Sequence, residues 1–120
     1  MSPQPRMVYQ EPEPRERADL ARALRASDPA TVCRAMVDAA FHEPDWRWVQ
    51  GECARLAAHD SPHVRALVPT CFGHLARIHG AIDRAVVEPV LARLAADPDP
   101  GVAGRVDDAR DDFEVFLGRR

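Results

Sequence analysis

Apolar residues recur along this chain at three- and four-residue intervals, and no stretch alternates apolar with polar. That is the periodicity of helices buried along one side, not of strands. The clearest run is Val64, Leu67, Val68, Cys71, Phe72, Leu75 and Ile78, followed by Gly80, a residue suited to a left-handed helix stop. A second run is Val102, Val106, Ala109, Phe113, Phe116 and Leu117. Trp46, Val49, Cys53, Leu56 and Ala57 form a third stripe, and Val86, Val87, Val90, Leu91 and Leu94 a fourth. Leu20 and Leu24 facing Val32, Met36 and Ala40 make a thinner pair. Three times a capping residue precedes proline, at Asp28-Pro29, Ser61-Pro62 and Asp99-Pro100. The side-chain oxygen accepts from a free N–H of the first turn, and proline at the first position gives up only an N–H that has no partner there. Asp45 and Asp83 are weaker caps. The pattern predicts six helices, over about 15–26, 29–41, 46–59, 62–79, 84–96 and 100–117.

Residues 1–14 hold four prolines and little periodicity, which predicts a mobile lead-in before one helical domain over 15–120. At 120 residues the chain has room for a single modest core. The formal charge of −3 gives no global reason to bind nucleic acid or an anionic membrane. No apolar run is long enough to span a bilayer, and the N-terminus lacks the apolar middle of a secretory signal. The expectation is a cytoplasmic protein. The chain has no lysine and no asparagine, and all 16 basic residues are arginine. Both missing residues have AT-rich codons, so the bias points to a GC-rich bacterial genome and lets codon supply account for much of the arginine. Cys33, Cys53 and Cys71 fall on apolar stripes with no CxxC spacing, and are read as packing.

Sliding the chain along itself until Ser61 meets Asp99 superimposes Ser61-Pro62-His63-Val64 on Asp99-Pro100-Gly101-Val102 and Val68 on Val106. Asp28-Pro29-Ala30-Thr31-Val32 is a weaker, earlier copy that fits in two registers, with Asp28 over Ser61 or, one step off, with Val32 over Val64. A helix pair that repeats with such a start on its second helix is the mark of a stacked array. With Asp97-Pro98-Asp99-Pro100-Gly101-Val102, His59-Asp60-Ser61-Pro62-His63-Val64-Arg65 and the mid-helix Pro89, the chain resembles the HEAT-repeat family over about residues 46–117. The spacing is shorter than the family's usual ~40–47 residues, and Arg65 has Ala103 as its counterpart in the last copy. The resemblance implies an all-α fold, a short right-handed α-solenoid of about three antiparallel helix pairs.

The array also aligns polar residues. On the second helix of each pair the same flank carries Asp38 and His42, then Thr70, His74 and Arg77, then Asp108 and Asp112, with Asp111 further round. Trp48 and His63 complete the candidate partner-binding set; Trp48 reads either as packing on the neighbouring pair or as an exposed anchor. Acids outnumber arginines seven to four from residue 97 onward. The flank is either a solvated face or a docking wall for a basic protein. No metal site is expected, since His59 and His63 are separated by a helix start and Cys71 points into the core while His74 points to its flank. No cofactor, nucleic acid or small-molecule substrate is expected, and no catalytic residue: two of the three serines read as caps or turn residues. The resemblance implies a non-catalytic protein-binding module. Its most concrete form is a bacterial immunity protein neutralising a basic toxin domain, since some such proteins are HEAT-like. The alternatives are a HEAT-like adaptor or regulatory subunit, and a DNA-glycosylase-like HEAT protein, for which Asp45, Trp46, Arg47 and Trp48 are the relevant cluster.

Overall fold

The computed structural model describes residues 14–118, and all the secondary structure there is helical. The six helices are α1 (Pro14–Leu24), α2 (Pro29–His42), α3 (Trp46–Leu56), α4 (Pro62–His79), α5 (Arg84–Ala95) and α6 (Pro100–Leu117). Of the lead-in expected over 1–14, residues 1–13 lie outside the described residues, and Pro14 begins α1. No helix among the described residues is long and apolar enough to cross a membrane.

Every cap read from the sequence is made. Asp28 accepts from the Thr31 N–H, Asp45 from Trp48, Ser61 from His63, Asp83 from Ala85 and Asp99 from Gly101. Gly80 stops α4 at φ 65°, the left-handed conformation. α1 and α3 end two and three residues earlier than their patterns predict. There the N–H groups of Arg25, Ala26, Ala57, Ala58 and His59 all bond to the carbonyl three residues back, so the last turn tightens out of α geometry.

α4 lies between α2 and α6, its contact with α6 being the most extensive in the molecule, and also touches α3 and α5; α1 packs on α2. The core runs through these contacts as Leu24, Val32, Met36, Val49, Leu56, Val64, Val68, Phe72, Leu75, Val87, Leu91, Val102, Val106 and Phe113. Cys53 and Cys71 are buried in it and Cys33 half-buried, all three as free thiols. Bonding to Cys53 and then burial push the Cys71 thiol well up. Three positions assigned to the buried stripes are exposed: Ile78 at 41%, Phe116 at 42%, and Val86. Full burial ends at Ala76 on α4 and Phe113 on α6, one turn before either helix ends, with Leu117 still packed half-buried against the core. The periodicity therefore continues past the neighbours it would pack against.

Three linkers repeat one device. The residue two places before a cap accepts the N–H of the cap residue itself: Glu43 from Asp45 at 2.9 Å, His59 from Ser61 at 3.0 Å, Asp97 from Asp99 at 2.9 Å. Two of these receiving side chains also hold an arginine. Arg17 reaches the Glu43 carboxylate at 3.0 and 3.3 Å, and Glu43 is only 2% exposed. Arg65 donates to Asp97 at 2.8 and 3.2 Å and to the His59 and Asp60 carbonyls at 2.9 Å each. Buried Gln50 secures the next linker by accepting from the Asp83 N–H at 2.8 Å.

The Arg65 guanidinium, and after it the Asp99 N–H, hold the Asp97 carboxyl below the usual aspartate value. A depressed folded-state pKa contributes stability above the unfolded value and loses it as pH falls through the folded one. Arg65→Met is therefore expected to lower the melting temperature at neutral pH. The gap from wild type should narrow in acid, as Asp97 protonates. Thermal melts from about pH 7 down to about pH 2 check this; a gap that stays constant with pH would mean that the ion pair is not its source.

Candidate functional site

The α4 and α6 parts of the flank singled out by the repeat form one surface, joined from α2 by Phe41, with His74 at its centre. Thr70, His74 and Arg77 share one side of α4, being three and four residues apart. The Arg77 guanidinium, which can only donate, approaches His74 Nδ1 at 2.7 Å. This fixes the neutral tautomer with its proton on Nε2. Burial first, and then the Arg77 charge, lower the His74 pKa against an opposing pull from Asp112, so the ring is neutral at pH 7. From α2, the Phe41 ring lies 4.6 Å from the His74 ring, centroid to centroid, at an interplanar angle of 44°.

α6 supplies the other edge. Arg105 donates to Thr70 Oγ1 at 3.0 Å. The half-buried Asp112 carboxylate rests over Gly73, where a Cβ would lie 2.6 Å from its Oδ2. Glycine at 73 leaves room for this carboxylate in its present rotamer, while the Asp112 Cβ would lie at an ordinary contact distance of 3.6 Å. Asp108 and Asp111 are exposed and carry no ion pair among the described residues.

The remaining candidates lie apart. The α2 ring that lies against His74 is Phe41, the residue set over His74 in the register that places Asp28 over Ser61. Asp38 borders a groove with Val37 and with Leu67 of α4, but together with His42, 4.0 Å away, it also lies on the side of α2 toward α1. There, with Asp19, Leu20, Arg34 and Glu43, they line an open groove of about 680 Å³. Trp48 packs half-buried against the core, with the Arg17 guanidinium 4.5 Å over its ring, so it belongs to the α1–α3 packing. Trp46, expected in the core, is likewise half-buried, beneath Arg47 at 4.5 Å. His63 is exposed on the first turn of α4, on the stripe of Thr70 and Arg77 but about 10 Å before Thr70 along the axis.

Sequence reasoning missed Phe41, Ile78 and Phe116 as surface residues, and Glu43 and Gln50 as buried ones. The repeated acid-Pro-Asp of Glu43-Pro44-Asp45 and Asp97-Pro98-Asp99 is the signal that marks the linker carboxylates. Val37 and Phe41, four apart and one step round from Met36 and Ala40, mark the exposed edge of α2. Chemically, the surface offers carboxylates, the exposed guanidiniums of Arg77 and Arg105, a neutral imidazole and apolar side chains. Among the described residues no group of three or more His, Cys, Asp or Glu is placed to hold a metal ion.

No family model matches the sequence, and no curated protein matches it. Among solved structures, it is similar to a chain in the crystal structure of a CDI complex from Cupriavidus taiwanensis LMG 19424. The two are 33% identical over 92% of this chain and 96% of that one, with a TM-score of 0.71.

Proposed function

The chain belongs to the same family as that member of the Cupriavidus taiwanensis CDI complex, and on this premise we propose that it is an immunity protein. CDI is read here as contact-dependent inhibition, in which a toxin is met by an immunity protein that binds it. The observation that carries the proposal is the 33% identity over nearly the full length of both chains. Of the two roles in such a complex, the immunity role is the one supported by a surface of charged and apolar groups suited to contact with another protein.

In this reading the protein is a non-catalytic, cytoplasmic binder, and its partner is a basic toxin domain. The acids of α6 support that choice of partner, since opposite charge speeds encounter and fixes orientation. The order of helix contacts, with α4 between α2 and α6 and α3 against α5, fits the HEAT-like solenoid expected from the repeat.

The test is growth. A candidate toxin domain, sought in the reading frames next to this chain's gene, is expressed in a bacterial host, with and without the chain. Protected growth, together with a complex that co-elutes on size exclusion, is the expected result. Growth arrest despite abundant soluble chain, with no complex, would overturn the proposal.

A further inference from the structure

We infer that the toxin docks on the far ends of α4 and α6, where exposed Ile78, Val115 and Phe116 stand beside the acids of α6, and that it presents there an apolar side chain flanked by lysine or arginine. The inference rests on the immunity reading and names the surface that would carry it.

Ile78 and Phe116 occupy the same position in the repeat that sets Ser61 over Asp99, on the two helices with the most extensive mutual contact. Each follows a residue of the central flank by one turn: Ile78 follows His74, and Phe116 follows Asp112. Val115 is 72% exposed. Apolar side chains grouped at one end of a surface and edged by charge have the layout of an interface centre with its rim.

Four of the acids of α6 are spaced against the helix's own stability. It holds two arginines and five acids. Both arginines turn to neighbouring helices, Arg105 to Thr70 and Arg110 to Glu88. Asp107 and Asp111, like Asp108 and Asp112, are like charges four residues apart, a spacing that weakens a helix. A basic partner relieves all of these at once. The other classes of occupant meet repulsion. Nucleic acid and anionic lipid bring negative charge, and a second copy in a two-fold dimer would set the same acids against each other.

The test uses the purified toxin domain from the growth assay as probe, with binding kinetics at two salt concentrations. Asp108→Lys with Asp111→Lys is expected to slow association about 10-fold or more at low salt, less at high salt. Its melting temperature should hold or rise, which a merely structural role for the acids would not give. Ile78→Ser with Phe116→Ser should weaken binding about 30-fold, mostly through faster dissociation. Asp19→Ser with Arg22→Ser on α1 is the control and should stay within about 2-fold of wild type. If the apolar pair impairs folding, the charge variant still decides. Wild-type kinetics in the charge variant would overturn the surface while leaving the immunity reading intact. Failure of the wild-type chain to bind the toxin would overturn both. A wild-type dimer that Phe116→Ser dissociates would assign the surface to a second copy instead.

Discussion

Replacing Phe72 with alanine is expected to cost about 3–5 kcal/mol of folding stability, the range for truncating a fully buried aromatic. Phe72 is 0% exposed, on the helix that touches four of the other five. Part of the cost is the lost transfer of the ring from water. The rest is the void, which helices held on several sides cannot close. Phe116→Ala, the matched change at the exposed end of α6, should move stability by no more than about 0.5 kcal/mol. Urea unfolding followed by circular dichroism checks both, with the midpoint shifting and the slope unchanged if only stability is affected. Equal losses from the two phenylalanines would mean that Phe116 is packed after all.

The second large effect is expected at Arg17. Its guanidinium holds the buried Glu43 carboxylate, reaches Asp45 at 3.5 Å and covers the Trp48 ring. Arg17→Ala strands a charge that is 2% exposed, leaving it, among the described residues, the bond from the Asp45 N–H. Breaking a fully buried pair costs about 3–5 kcal/mol; because Arg17 is itself about a third exposed and water can partly replace it, about 2–3 kcal/mol is expected here. Tryptophan emission should shift to the red as Trp48 loses its cover. Restoring most of the loss with Arg17→Ala and Glu43→Gln together would identify the stranded charge as the cause. Equal loss in the single and double variants would assign it to packing on Trp48.

The helix starts were legible because capping is local: Asp28-Pro29, Ser61-Pro62 and Asp99-Pro100 each carry donor, acceptor and fixed φ within a few residues. Burial was legible only where a neighbour is present. Periodicity gives the angle at which Ile78 and Phe116 project, and says nothing of where α2 or α6 ends beside them. Glu43 and Gln50 could not be placed because their partners lie 26 and 33 residues away. Phe41 displaced His42 from the central flank for a related reason. The weak first copy admits two registers, and one step of register turns a helix by about 100°. The flank of α4 and α6 was found because its copies align in a single register, the one that sets Ser61 over Asp99.

The linkers have a bearing on how such a chain tolerates gain or loss of residues. Each of the three closes its small loop within three residues, from receiving side chain to capped helix start. A residue inserted before the receiver, as near 58, lengthens a connection and leaves the angular phase of the next helix alone. The same insertion between receiver and cap, at 44, 60 or 98, opens the loop and frees the following helix to rotate. Length variation among relatives should therefore be confined to the first kind of place, and the spacing from receiver to cap should stay at two.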